Sequence, residues 1–169
     1  VLTNSALICA DGVFALINST VTNNNLNSKL INSVGGTIYV VNSTVAFNKG
    51  GIHVAGQEVS SGTETDEDGN TTTTTTIRGG ALILNSILTA NGGKSVTVTE
   101  NGINKVDYSL VDVNPNDIFI MKGGKPAEGP NGTLTLRPDG AAARSGVLVG
   151  IYSVDDTLHF AYKTSVSGN

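Results

Sequence analysis

Residues 40–49 read VVNSTVAFNK, and this ten-residue pattern recurs along the chain. The other copies are LTNSALICAD at 2–11, LINSTVTNNN at 16–25, ILNSILTANG at 83–92 and, more weakly, VDYSLVDVNP at 106–115. Aligned on their serines, the copies share an apolar residue three positions before the serine and another two positions after it. Apolar columns at fixed positions indicate that every copy points the same side chains into a shared interior. We therefore expect one stacked column of Leu2, Leu16, Val40, Ile83 and Val106, and a second of Leu7, Val21, Val45, Leu88 and Val111.

Asparagine fills two further columns of the same alignment. One column directly precedes the serine, although the weakest copy carries Tyr108 there. The other lies five residues after the serine, where the first copy carries Ala10. Stacked amides can hydrogen-bond to the copies above and below, and asparagine tolerates the left-handed backbone of a tight corner. The sequence therefore predicts two structural ladders, formed by Asn18, Asn42 and Asn85 and by Asn24, Asn48 and Asn91.

The serines of successive copies lie 14, 24, 43 and 23 residues apart. A β-solenoid coil of roughly twenty-odd residues accounts for two of these spacings, and the longest indicates one coil plus an insertion near 55–78. The shortest leaves two interpretations: a truncated first coil, or a segment SALICADGVFAL that supplies a different strand of the second coil. We predict an all-β parallel β-helix of about four or five partial coils with hairpin excursions. An antiparallel sandwich whose strands share the NST motif is the alternative.

The composition excludes several classes of protein. The 169 residues include 14 acidic and 10 basic ones, and the resulting net charge of −4 does not favour a nucleic-acid partner. The chain has no apolar run long enough for a transmembrane helix. The single cysteine, Cys9, excludes a disulfide framework, and its apolar neighbours indicate a core residue. What remains is a β-rich chain whose polar residues are mainly 20 Thr, 18 Asn and 14 Ser.

The first ten residues, VLTNSALICA, contain neither an initiator Met nor the basic segment of a signal peptide. Because they resemble the middle of a repeat, we expect the chain to be the C-terminal fragment of a longer protein, with any signal or anchor outside it. Few Lys and Arg residues and abundant Thr and Asn are typical of exported proteins. We therefore expect a secreted or cell-surface localisation.

The runs GVFALINSTVTNNN at 12–25, GGTIYVVNSTVAFNKGG at 35–51 and GGALILNSILTANGG at 79–93 resemble the repeats of one known family. They look like those of secreted bacterial right-handed parallel β-helix proteins of the pectate-lyase-like superfamily. LTLRPDGAAARSG at 134–146 is similar to the C-terminal region of such proteins that carry a choice-of-anchor domain. The resemblance implies a right-handed β-helix, but one fold hosts many functions. We treat 1–169 as a single β-helix domain and expect 147–169 to form strands that cap its open end.

Residues 55–78 read AGQEVSSGTETDEDGNTTTTTTIR and form a Thr-rich, acidic excursion from the repeats. Alternating Thr favours a β-strand, and Asp-Gly favours a tight turn. We therefore predict a protruding hairpin with its tip at Asp66–Asn70, and a disordered low-complexity loop is the alternative. A second hairpin is predicted over 95–109, turning at Asn101 and Gly102.

Oxygen donors cluster at the tip of the first excursion, where Asp66, Asp68 and Asn70 form a candidate Ca²⁺ site. The spacing is not that of an EF-hand loop, so a solvated turn is the alternative. The remaining acidic candidates and the histidines are scattered and lack partners in sequence, so we expect turns or structural roles for Asp112, Asp117, Asp155, Asp156, His53 and His159. No other cofactor is expected.

Enzymes of this fold need carboxylates that face one another, or a carboxylate cluster holding Ca²⁺ beside an Arg or Lys base. The repeats are nearly free of carboxylates, and no repeat core contains any of the arginines Arg78, Arg137 and Arg144. We therefore predict no catalytic residues and a non-catalytic secreted or cell-surface module. The C-terminal part of a polysaccharide lyase or glycoside hydrolase is the alternative, and a solenoid that self-associates through its coil ends is a third reading.

Carbohydrate is the expected partner of a non-catalytic module with this composition. An uncharged face of Thr and Asn side chains can hydrogen-bond to glycan hydroxyls, and a tyrosine ring can stack on a sugar. The predicted ligand-binding residues are Thr71, Thr73, Thr75 and Tyr39.

Overall fold

The computed structural model describes residues 7–10, 12–25, 29–127, 134–142, 148–154 and 157–163. Expectations for Leu2, Arg144, Asp155 and Asp156, and for the side chains of Cys9 and His159, lie outside this description. Within it, every element is a β-strand except one 3₁₀ helix at Pro115–Asp117. The predicted all-β class is therefore confirmed.

Three parallel sheets of four strands each contain the repeats. Sheet A consists of β1 (Leu7–Ala10), β4 (Lys29–Val34), β7 (Gly51–Ala55) and β12 (Val96–Thr99). Sheet B consists of β2 (Val13–Ile17), β5 (Thr37–Val41), β10 (Gly80–Leu84) and β13 (Ile103–Asp107). Sheet C consists of β3 (Thr20–Thr22), β6 (Thr44–Ala46), β11 (Ile87–Thr89) and β14 (Leu110–Val111). The chain visits A, B and C in that order four times, so the predicted parallel stacking of repeats is confirmed and is compatible with a β-solenoid.

The inward-facing residues of the three sheets form the main hydrophobic core. Side chains alternate along a strand, so Ile38 and Val40 point into this core, whereas Tyr39 and Val41 lie on the outside of sheet B. Both predicted columns are in register, as Leu16, Val40, Ile83 and Val106 and as Val21, Val45, Leu88 and Val111. Val106 is nevertheless 41% exposed, because it belongs to the edge strand β13 and no further described strand covers it.

The first repeat copy, at 2–11, does not belong in the alignment. Leu7 pairs with Ile31 in sheet A, whereas the alignment had placed it with Val21 of sheet C. The second interpretation of the 14-residue spacing is therefore confirmed, because this segment supplies a sheet A strand that precedes β2. A short apolar run such as LICA suits any buried strand, so its pattern does not reveal which sheet it joins.

The excursion from the repeats is a hairpin of β8 (Gln57–Thr65) and β9 (Thr71–Arg78), which pair antiparallel. The chain leaves sheet A after Ala55 and re-enters the stack at Gly80, in register with Thr37. At the re-entry, Gly79 has a φ of 103°, and a Cβ there would lie 3.0 Å from backbone atoms of Gly35. Only glycine suits both this conformation and this close approach.

The second predicted hairpin, over 95–109, is wrong. Strand β12 pairs with β7 in sheet A, and β13 pairs with β10 in sheet B, so the two strands do not pair with each other. The turn signal itself was correct, because Glu100 and Asn101 adopt left-handed φ values of 52° and 55°. The apolar side chains of Val96 and Val98 pack against the core, and this packing holds β12 in sheet A.

The chain after β14 covers the outside of sheet C. Ile118 and Phe119 are almost fully buried and pack with Ala46 of β6, and the Phe119 ring lies 5.5 Å from that of Phe47. A small ribbon of β15 (Met121–Lys122) and β16 (Lys125–Pro126) follows.

The strands expected within 147–169 are β17 (Leu148–Val154) and β18 (Thr157–Lys163). They form a separate two-stranded antiparallel sheet and do not extend sheets A, B or C by strand pairing. Among the described residues, no helix has the length and apolar character that crossing a bilayer requires.

Candidate functional site

The serines of the repeats form a hydrogen-bonded ladder between layers. The Oγ atoms of three serines accept from the backbone N–H of the serine one layer before. The distances are 3.1 Å from Ser19 to Ser43, 3.1 Å from Ser43 to Ser86 and 3.0 Å from Ser86 to Ser109. The hydroxyls of Ser43 and Ser86 also donate to backbone carbonyls, and both residues are buried. The serines therefore satisfy the polar backbone of the corner between sheets B and C.

A second ladder, of Asn24, Asn48 and Asn91, lies buried just after sheet C. The Nδ2 of Asn24 donates to Oδ1 of Asn48, and that of Asn48 to Oδ1 of Asn91, each at 2.9 Å. The backbone N–H groups of Asn24 and Asn48 donate to the same two oxygens, at 3.1 and 3.3 Å. Their exposed fractions are 8%, 3% and 0%, so these amides replace water as hydrogen-bond partners inside the protein.

Asn18, Asn42 and Asn85 lie over one another at the corner between sheets B and C, but closer to solvent. Their φ values of 49°, 50° and 49° are left-handed, and Tyr108 at the same place has 49°. The Nδ2 of Asn85 donates to Oδ1 of Asn42 at 2.7 Å. This column is therefore primarily a set of corner residues, whereas the Asn24 column supplies the buried amide contacts.

We expect Asn42→Ala to lower the free energy of unfolding by about 1–2 kcal/mol. The substitution removes the hydrogen bond from Asn85 and puts alanine in a left-handed conformation that asparagine tolerates better. Urea unfolding measures the change. Asn42→Gly is the control, because it removes the same amide without the left-handed penalty. Equal losses for both variants would show that the corner conformation contributes nothing.

Towards the tip of the β8–β9 hairpin, one face carries only hydroxyl side chains. Its three cross-strand pairs are Ser61 with Thr75, Thr63 with Thr73 and Thr65 with Thr71. All six residues are exposed, and the hydroxyls of Thr65 and Thr71 lie 3.3 Å apart. This set, called the hydroxyl face below, includes the three threonines predicted to bind ligand. Tyr39 does not join them, because it is 8% exposed on the outside of sheet B and packs with Val41 and Leu84.

The candidate Ca²⁺ ligands lie in the turn at the hairpin tip, and the Asp66 carboxylate accepts hydrogen bonds from the other two residues. Its Oδ1 accepts from the backbone N–H groups of Asp68 and Asn70 at 3.1 and 2.7 Å, and its Oδ2 accepts from Nδ2 of Asn70 at 3.1 Å. These bonds, that of the Asn70 side chain foremost, lower the pKa of Asp66. The part of the chain that the structure describes contains no group of three His, Cys, Asp or Glu residues arranged to hold a metal.

The other polar candidates make structural or surface contacts, and of them Asp117 lies near Arg137. Asp112 accepts from the backbone N–H of buried Ser95 at 3.0 Å, which is a structural role. Burial, followed by the nearby positive charge of Lys29, lowers the pKa of His53. Arg137 pairs with Asp139 at 2.9 Å on the surface.

The serine ladder is a feature that the sequence did not predict, although serine is the residue on which the repeats align. A serine at the same place in successive copies was itself the signal, because a small hydroxyl can both donate to and accept from adjacent layers. Comparisons of the chain with protein-family models, with curated proteins and with solved structures find no match.

Proposed function

We propose that the chain is a right-handed parallel β-helix module of a secreted or cell-surface bacterial protein of the pectate-lyase-like superfamily. The support for this fold is the order of the strands, which pass through sheets A, B and C repeatedly with each strand parallel to its counterpart. The right hand follows the general preference of parallel crossover connections. The module is non-catalytic, and its role is carbohydrate recognition or adhesion.

The hydroxyl face of the β8–β9 hairpin is the observation that carries the proposed carbohydrate recognition. Six hydroxyl side chains project from one side of an exposed ribbon, and no charged side chain stands among them. Hydroxyls donate and accept hydrogen bonds, as sugar hydroxyls do, so a neutral glycan is the ligand class that matches this face. Binding exchanges hydrogen bonds to water for equivalent bonds to sugar, so we expect dissociation constants of roughly 1 mM.

The test of this proposal compares the two faces of β9. In Thr71→Ala/Thr73→Ala/Thr75→Ala, the hydroxyl face loses one of its two rows, and we expect at least a five-fold loss of affinity for a soluble neutral polysaccharide. Thr72→Ala/Thr74→Ala/Thr76→Ala is the matched control, because it removes the same number of hydroxyls from the opposite face of the same strand. Backbone NMR shifts of the full chain, titrated with neutral and with uronate-containing polysaccharides, report binding.

Three results would contradict the proposal: no shift with any polysaccharide, equal losses in the two triple variants, or cleavage products in the titrated sample. Cleavage would support the alternative, part of a lyase or hydrolase. Asp112 and Asp117 would then be the first residues to replace, since they lie on neighbouring segments after β14.

A further inference from the structure

The outer edge of β9, on the side away from β8, has no partner strand among the described residues. Residues Thr71–Thr76 form a regular, uncharged and fully exposed strand whose only partner among the described strands is β8. Exposed strand edges of this kind are pairing sites for other chains, and natural proteins usually block them with charges, prolines or bulges. Thr71–Thr76 carries none of these protections.

The opposite edge of the same hairpin is protected. Strand β8 carries Glu58 and Glu64, and its pairing with β9 is irregular between Glu58 and Ser60. Charges and irregularities on an edge strand both oppose the addition of another strand. The hairpin therefore has one edge that is open to pairing and one that is not.

A two-stranded ribbon has little to stabilise it unless a face is buried or more strands are added. In β8 every residue is exposed, and in β9 only Ile77 is partly buried. The hairpin gains almost nothing from hydrophobic burial, so additional strand pairing is the stabilisation available to it.

We propose that β9 pairs antiparallel with β9 of a second copy of this chain, forming a four-stranded sheet around a two-fold axis at Thr73. An uncharged Thr strand is complementary to itself, which favours a second copy over a partner of different chemistry. In this arrangement Thr73 faces Thr73 of the partner subunit, and residues of equal parity stay on one side of the sheet. The hydroxyl faces of the two copies then join into one surface. The interface does not depend on glycan binding, so it can be tested without a ligand.

The test compares two lysine variants, one on each edge of the hairpin. Both change a residue of the cross-strand pair Thr63–Thr73. Thr73→Lys puts two like charges opposite each other across the proposed axis, and we expect the dimer to weaken at least five-fold. Thr63→Lys adds the same charge to the same face, on the residue that pairs with Thr73, but on the protected strand. We expect this control to dimerise as the unmodified chain does. Sedimentation of the full chain from about 1 µM to about 1 mM measures the equilibrium.

A charge swap separates loss of the interface from damage to the hairpin. Mixing Thr73→Lys with Thr73→Glu should restore a dimer, because opposite charges then meet at the axis. A monomer at every concentration of the unmodified chain would overturn the proposal, as would equal weakening by the two lysine variants. A dimer that neither variant weakens would place the contact elsewhere, at the ends of the stack, and would also overturn it.

Discussion

Replacing Asn48 with alanine is expected to lower the free energy of unfolding by about 3 kcal/mol. Asn48 is the central amide of the buried ladder, and its Oδ1 accepts both the backbone N–H and the Nδ2 of Asn24. Its own Nδ2 donates to Oδ1 of Asn91 and to the carbonyl of Val21. Alanine therefore leaves several buried polar groups without partners, and water cannot reach them at a site that is 3% exposed.

Chemical denaturation of Asn48→Ala beside Asn42→Ala measures this difference. Asn42 stands in the corner column and is partly exposed, so its loss is expected to be the smaller. The double variant Asn24→Ala/Asn48→Ala should lose less than the sum of the single losses, because Asn24 no longer needs the missing acceptor. Losses of similar size at Asn42 and Asn48 would mean that the buried ladder is not what holds the layers together.

Gly92→Ala is expected to cost about 3 kcal/mol or more. A Cβ at Gly92 would lie 2.2 Å from the carbonyl oxygen of Lys49, and the residue has a left-handed φ of 68°. The obstacle is backbone of the adjacent layer, which can move only if the layers separate. The substitution therefore combines a steric clash with conformational strain.

Gly93→Ala is the matched control for Gly92→Ala. Gly93 also has a positive φ, 127°, but a Cβ there would meet nothing within 4 Å. We expect a loss of about 1–3 kcal/mol from the backbone conformation alone, because a φ of 127° lies outside the left-handed region that other residues adopt. Thermal unfolding of both variants gives the comparison, and the prediction fails if Gly93→Ala is as damaging as Gly92→Ala.

The repeat columns were predictable because a parallel stack repeats the same environment at the same position of every layer. Val21, Val45 and Leu88 occupy equivalent places in successive layers. An apolar residue therefore recurs at that position of the repeat, and the recurrence predicts that the position faces the core. The hairpin at 55–78 was predictable because alternating threonines and an Asp-Gly turn act locally. Both signals depend on positions that are near in sequence or repeated.

Other features depend on contacts between segments that are distant in sequence, and these contacts cannot be predicted from a single sequence. In TIYVV both faces of β5 are apolar, so alternation does not say that Tyr39 points outward and is then buried. Asn101 and Gly102 signal a turn correctly, but sheets A and B decide which strands pair on either side. The hydroxyl face emerged only when the cross-strand register placed Ser61 and Thr63 beside the predicted threonines.

The re-entry of the chain at Gly79 and Gly80 makes the β8–β9 hairpin an exchangeable cassette. The layers on both sides keep their register, with Gly80 opposite Thr37 and Ile103, although the hairpin intervenes between β7 and β10. Doubling the length of a flexible connection costs only about 0.6 kcal/mol. Gly56 itself belongs to the scaffold, because its backbone N–H donates to the carbonyl of Thr99 and a Cβ there would lie 2.3 Å from the carbonyl oxygen of Glu100. A segment of different length or composition can therefore stand between Gly56 and Gly79 with little effect on the stack, so the surface displayed there is free to diverge while the scaffold stays the same.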